Sequence, residues 1–579
     1  MKTVLSVTMS TAIVLVLPVT GTSQTRSASA LASLKTRAER SDYRETSRYA
    51  EVVAFMEAVA AASPRVHLTT FGYTFEGRPL PLAVVGAPDA SPEAVKKTGK
   101  LRVYIQGNIH GGEVEGKESA QMLLRDLAQG RHADWLQSMV LLIAPIYNAD
   151  GNERISLTNR GRQHGPVGGM GQRPNAQDLD LNRDHMKIDS PEARSVVKLM
   201  NDYDPHVSMD LHTTNGSYHA YHLTYAPPLN PATDPAIVDM LRKEWLPAFT
   251  KTIKSKYGWD YYYYGNVSGG GRGGRGGRGT GRGAGAGRGE PLAGAPPALL
   301  PPATVPPAAQ QAGDTMRAWA SFDHRPRFNN NYIGLRNRVA LLSEAYSYAT
   351  FEDRVVATNR FIEENLDYAH AHAKAIQQLL SASDRGPIVG QQLPVRAELG
   401  RAAQPVEILM GEVTEEQNPF SGQMMFRRLD VKKPETMIDM GTFRGTDTER
   451  VPAAYFVPPN LRTVVDRIQA HGIAAAPLPA ARTVRIQEFK IEGIEPAPRP
   501  FQNRTERTLR GAWAAAEREL PAGTLQIDMT QPLARLAFYL LEPRSDDGLA
   551  NWNLVDGLET DAAVYPIVRT GEQEVGDRR

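Results

Sequence analysis

The chain has 579 residues, 41% of them hydrophobic and 22% charged, a globular balance too long for one core and suited to about two to four domains. Its formal net charge of +2 argues against an obligate nucleic-acid binder. It has no cysteine, which excludes disulfides, thiolate metal sites and a cysteine-linked lipid anchor, so any metal must be held by His, Asp or Glu.

Residues 1–30 have the pattern of a secretory signal. Lys2 gives the positive start, 12–19 the apolar core, and Ala28-Ser29-Ala30 a small-residue cleavage site, with Thr22-Ser23 as an earlier option. That pattern predicts export to a periplasmic or extracellular space. The apolar run is too short for a bilayer, and no other stretch reaches about 18 apolar residues, so no membrane span is expected.

A helix is expected over 48–62, with Val52, Phe55, Met56 and Val59 on one face, followed by two strands within 66–85. Val103, Tyr104 and Ile105 form a short apolar strand, 117–127 a helix, and 139–146 a fully apolar strand. Apolar strands alternating with helices predict an α/β fold, a mixed and largely parallel sheet with helices on both faces. The 148–180 stretch reads as a long polar loop of the kind that carries sites. Helices are expected over 191–203 and 235–257, with a strand over 206–211 between them.

At Gly269 the composition changes to Gly/Arg repeats and then to a Pro/Ala-rich run, assigned as a disordered insertion over 267–315. Five arginines there suggest a polyanion-binding arm, but it holds no aromatic for base stacking, so the surface-loop reading is preferred and no nucleic acid is expected. A strand over 329–344 ends in Glu344, and a long helix follows over 351–380. The catalytic domain is placed at 31–382. Residues 386–579 read as a separate β-rich domain, with few helices besides 461–471 and 507–519 and with no catalytic constellation.

The chemistry gathers at His110-Gly111-Gly112-Glu113, just past the strand at 103–105. In an extended chain residues three apart point to opposite faces, so the two glycines must bend the backbone to bring the imidazole and carboxylate together. His212, at the end of another apolar strand, completes two histidines and one carboxylate with a fourth position left for water, as a catalytic zinc site needs. Asp180 or Asp210 can orient a ligand histidine, and the planar fork of Arg183 suits a carboxylate. His219 and His222 read as polar packing, Tyr261–Tyr263 with Tyr264 as the aromatic edge of a strand, and Asp150-Gly151 as a turn.

The order His-x-x-Glu, Asn-x-Asp-Gly (148–151), Asp-x-Asn-Arg (180–183), strand-end His and strand-end Glu resembles the zinc carboxypeptidase family, the carboxypeptidase A-like metallopeptidases, in a bacterial-type secreted form. Phe75-Glu76-Gly77-Arg78-Pro79-Leu80 adds to the likeness, which covers roughly 49–380 once the insertion is set aside. The resemblance implies one zinc ion held by His110, Glu113 and His212, with Asp180 behind His110 and with Asn182 and Arg183 holding a peptide's terminal carboxylate. It implies Glu344, preferred over Glu352, as general base, and Arg160, preferred over Arg162, as oxyanion donor. Tyr332 stands as the substrate-facing tyrosine, and the neutral run 329–331 is where side-chain preference would be set. Asp184 departs from the pattern, since its charge beside the clamp would weaken carboxylate binding. The expected reaction is hydrolysis at peptide C-termini; the alternatives are a related amidase or deacylase of cell-wall peptides or acyl amino acids, and a zinc-free peptide-binding protein.

Overall fold

Eight strands make the central sheet: β1 (Val66–Tyr73), β2 (Pro79–Val85), β3 (Leu101–Gly107), β4 (Met139–Ala144), β5 (Val207–Thr214), β6 (Leu223–Ala226), β7 (Tyr261–Tyr263) and, after the short strands β8 (Asn266–Ser268) and β9 (Ala318–Ala320), β10 (Val339–Tyr346). The structure is a computed structural model describing residues 31–214, 216–268 and 316–571. The signal-like 1–30 and nearly all of the 267–315 insertion lie outside the described residues. Sheet order is β1-β2-β4-β3-β5-β10-β6-β7. Its centre, β4-β3-β5-β10, is parallel, while β1, β2 and β6 pair antiparallel at the flanks. The expected mixed, largely parallel α/β fold is therefore what forms.

Every residue of β3, β4 and β5 is buried, so these strands are covered on both faces and need not alternate polar with apolar. Alternation instead sorts their side chains into two cores. Val103, Ile105, Leu141, Ile143, Met209 and Leu211 face helices Tyr49–Ala62, Glu115–Ala128, Leu246–Tyr257 and Phe351–Ala371. Tyr104, Val140, Leu142 and Ala340 face the opposite way, toward helix Pro191–Tyr203 and the C-terminal part of the chain. On that second face the strands turn polar at their C-terminal ends, where Gln106, Asp210, His212 and Glu344 stand in neighbouring rows. The crevice outside the carboxyl ends of parallel strands is where ligands bind in open α/β sheets.

Residues 386–571 begin a separate, wholly antiparallel six-stranded sheet. They do not begin a separate core: Tyr455, Val464, Ile468, Phe489 and Leu536 pack in one cluster with Tyr104 and Leu142 of the central sheet. β9 joins the two parts directly, pairing antiparallel with β8 and parallel with Lys433–Met440. No helix among the described residues is long and apolar enough to cross a membrane.

Five local expectations differ. The long helix expected over 351–380 breaks at His372 into Phe351–Ala371 and Ala373–Arg385. The Ala-rich 507–519 stretch is not a helix but the strand Arg507–Leu520, paired along its length with Arg482–Pro496. Helix propensity is a weak prior that a continuous ladder overrides. Gly511 marks the tight point of that ladder, at φ 153°, where an added Cβ would sit 2.0 Å from the Lys490 carbonyl oxygen. The 329–344 run divides into helix Asn329–Leu335 and strand β10, with the asparagine side chains tying the helix to its surroundings: Asn329 pairs with His185 Nε2, Asn330 donates to the Pro227 carbonyl and Asn331 to the Asp323 carbonyl. The 235–257 helix passes through a π turn, Met240–Trp245, just before Pro247, whose missing N–H cannot continue the regular pattern. Asp150-Gly151 lies in the short helix Ala149–Glu153, where the Asp150 carboxylate accepts from Thr74, the Glu76 N–H and Arg78 and so pins the β1–β2 turn.

Candidate metal centre

The loop after β3 is tied by one side chain. Asn108, in the left-handed region at φ 64°, donates its amide to the carbonyls of His110, Gly111 and Glu113 at 3.1–3.2 Å. This bend swings His110 and Glu113 to one side, where Nδ1 of His110 lies 2.9 Å from Glu113 Oε2. The parallel register of β3 and β5 then sets His212 beside them, its Nδ1 also 2.9 Å from Glu113 Oε2. All three side chains are about 2% exposed, and their ligand atoms lie within 4.8 Å of one another.

The glycines serve by being small. Neither Gly111 nor Gly112 has positive φ, but a Cβ at Gly111 would stand 2.3 Å from Gly151 C and 2.6 Å from both Asn152 N and Gln172 O, all backbone. Gly111→Ala should therefore destabilise the protein by about 1–3 kcal/mol through overpacking and loosen zinc retention, read by thermal unfolding and metal analysis. Retention equal to wild type would show that the neighbouring backbone yields freely.

Both histidines turn their far nitrogens to acids. Nε2 of His110 is 3.0 Å from Asp180 Oδ1, and Nε2 of His212 is 2.8 Å from Asp210 Oδ2. Sequence reasoning left Asp180 and Asp210 as alternatives; each serves its own histidine. Asp210 and His212, two apart on one strand, share a face, and Gln106 steadies the other Asp210 oxygen at 3.1 Å. With Nε2–H committed to a carboxylate, each Nδ1 presents a lone pair toward Glu113, and the buried His110 Nδ1 makes no hydrogen bond. Three converging acceptors without a shared donor are suited to a cation, and the His₂Glu donor set suits a single zinc ion.

Charge is arranged closely around this cluster. Burial works to raise the Glu113 pKa, yet the neighbouring His110 and Arg160 hold it well below the usual range. Burial likewise opposes protonation of His212, but Asp210 and Glu113 carry its pKa well above normal. Glu344 stands on β10 directly beside His212 in the parallel register. Burial, with the nearby Glu113 charge, pushes it up to about 8 against the pull of His212, Arg160 and Arg173. Glu352 lies elsewhere, exposed in the first turn of helix Phe351–Ala371.

Two arginines reach the cluster, and only one was singled out from sequence. Arg160 donates to Glu113 Oε1 at 2.9 Å, to Gln163 at 2.6 Å and to the Thr213 carbonyl at 3.1 Å. Arg162 points away, exposed, with its guanidinium over the Phe426 ring. Arg173, in the same polar loop, binds Asp180 Oδ2 at 2.9 Å and approaches Glu113 Oε1 at 3.5 Å, with a side chain 29% exposed against 12% for Arg160. No local signal marks it, since its contacts with Asp180 and Glu113 form only across the folded loop.

Asn182 is buried, capped at its N–H by Asp180 Oδ1, and its own Oδ1 accepts from the Asn329 N–H at 2.8 Å. Arg183 lies over the Phe328 ring at 3.7 Å and donates Nη1 to the Asn182 carbonyl. Burial brings its pKa down to about 10, which leaves it cationic at neutral pH. Asp184 does not oppose it. That carboxylate is fully buried in the other direction, paired with Lys187 and accepting from the N–H groups of Asp189 and Ser190 and the Ser190 hydroxyl. Tyr332 is not substrate-facing either: its hydroxyl is locked between His471 and Arg336 in the core. The phenol in the field of the site is Tyr264, whose pKa is raised by burial first and by Glu344 next, and whose oxygen accepts from Asn266. Asn329–331 are enclosed rather than lining an open pocket. His219 packs on Tyr346 at a tilt and His222 stacks on Trp259, and neither belongs to a ligand group among the described residues.

The sequence profile of the zinc carboxypeptidases matches residues 52–271, which include all three cluster residues. Carboxypeptidase 2 of Trichophyton tonsurans is 23% identical over 515 residues, covering 85% of this chain and 81% of that protein. Carboxypeptidase D of Mus musculus is 34% identical over 146 residues, covering 22% of this chain and 10% of its own. Among solved structures, a metallo-carboxypeptidase from Burkholderia cenocepacia aligns with TM-score 0.35 and 17% identity, over 56% of this chain and 70% of its own. The relatives found by sequence come from fungi and mammals, so they favour no specifically bacterial grouping.

Proposed function

We infer, from the zinc carboxypeptidase match over residues 52–271 and the His110–Glu113–His212 cluster inside it, how this zinc-dependent metallopeptidase works on peptide termini. The observation that carries the reading is the cluster: three buried acceptors from two strand ends, each histidine backed by its own carboxylate. Bound zinc would supply a Lewis acid for the scissile carbonyl and an acidified water. The chain's residues do the rest.

Glu344, beside His212 on the neighbouring strand, takes the water's proton at its carboxylate and returns it to the leaving amine. Arg173 and Arg160 flank the cluster; Arg173 is the more exposed and so the better placed to meet an oxyanion, while Arg160 is held by three acceptors around Glu113. Arg183 and Asn182 hold the peptide's terminal carboxylate. With Asp184 neutralised by Lys187, the objection to that clamp falls away, which favours carboxypeptidase action over an amidase without one. The signal-like 1–30 supports export.

The reading is tested by incubating the purified full chain with a peptide mixture and following mass. C-terminal residues should be lost one at a time, chelator should stop the loss, and added zinc should restore it. Internal cleavage, or hydrolysis indifferent to chelation, would overturn it. A mature N terminus that still carries 1–30 after expression in a secreting host would remove the export reading.

A further inference from the structure

The Asp180 backbone receives a contact from far along the chain. Its N–H donates to Oε1 of Gln502 at 2.8 Å, across 322 residues. Gln502 is at the tip of the hairpin formed by Arg482–Pro496 and Arg507–Leu520. There Phe501 and Arg504 exchange backbone hydrogen bonds at 2.8 and 3.0 Å, and the two residues between them, Gln502 and Asn503, have φ 51° and 61°. Positive φ at both central residues defines the turn that favours Asn-Gly and disfavours a glutamine in first place. An unfavourable residue held in the left-handed region points to use elsewhere. The tip is firmly mounted: Arg504 grips Asp189 through two bonds at 2.6 and 2.8 Å, and Phe501 stacks on Trp552.

We propose that Gln502 is a positioning residue of the active site, supplied by the C-terminal β region to fix Asp180. The consequence follows from what Asp180 carries. One carboxylate oxygen orients His110 and caps Asn182, and the other holds Arg173. The Gln502 carbonyl oxygen therefore sets, through one backbone N–H, a metal ligand, an arginine at the cluster and the start of the carboxylate clamp. The C-terminal region is in this sense part of the site rather than an appendage. The proposal rests on the zinc-peptidase reading.

The test uses the full chain. Gln502→Asn suits the left-handed backbone better than the native residue but is one methylene short of Asp180. The melting temperature should stay level or rise, while zinc affinity by chelator competition falls about tenfold, the lower bound for an outer-shell partner, and kcat/KM falls with it. Gln502→Glu keeps an acceptor at full length and should recover zinc affinity to within a few-fold of wild type. A Gln502→Asn variant with wild-type zinc affinity and kcat/KM would overturn the proposal, as would a Gln502→Glu variant that loses zinc equally. If the wild-type chain binds no zinc at all, the peptidase reading fails first; if it binds zinc and Gln502→Asn is unchanged, only the positioning role fails.

Discussion

Replacing Glu344 with Gln should leave zinc in place and reduce turnover by about 10²–10⁴, the usual contribution of a positioned general base. The substitution keeps shape and removes only the carboxylate's ability to accept a proton. Glu344 contributes no ligand atom to the cluster, so His110, Glu113 and His212 remain with their backing acids. KM should change little, because Asn182 and Arg183 lie on a different segment. The result is read from metal content and from kcat on a C-terminal peptide substrate. Turnover within tenfold of wild type, with zinc retained, would mean that another group takes the proton. Glu352 would not be that group, since it is exposed on helix Phe351–Ala371.

Removing a ligand should be more severe. In His212→Ala the cluster keeps one histidine and Glu113, and Asp210 Oδ2 loses its partner while 2% exposed, with only Gln106 on the other oxygen. Breaking a buried charged pair by removing one member costs about 3–5 kcal/mol, so the variant should melt well below wild type as well as losing zinc. Asp210→Asn is the graded control. It preserves the ligand and weakens only what orients it, so zinc affinity should fall by about 10–100-fold rather than vanish. Equal zinc affinity in His212→Ala and wild type would place the metal somewhere else, and the mechanism above would go with it. Loss of zinc in both variants to the same extent would mean that Asp210 does more than orient.

Much of this was legible in the order of residues, for reasons local in the chain. Absence of cysteine restricted ligands to His, Asp and Glu, and His-x-x-Glu at one strand end with His212 at another supplied them. The apolar runs of β3, β4 and β5 announced a buried parallel sheet because a strand covered on both faces has no polar side to alternate with. Where an expectation depended on what lay opposite in space, sequence alone misled or was silent. The Ala-rich 507–519 stretch carries a helical propensity that a fifteen-residue partner strand overrides. Asp184 looked like a stray negative charge until the fold buried it against Lys187.

The sequence by itself offered His110, Glu113 and His212 as candidate ligands and the apolar framework that brings them to one sheet edge, while Glu344 entered as the base through the family resemblance. Only the tertiary structure decided which acid serves which histidine, that Arg173 joins Arg160 at Glu113, and that Gln502 reaches Asp180. Those are hydrogen bonds a few ångströms long between segments as much as 322 residues apart. The Gln502 bond has no local spacing to encode it, because it exists only once the hairpin of the C-terminal sheet has packed on the polar end of the central one.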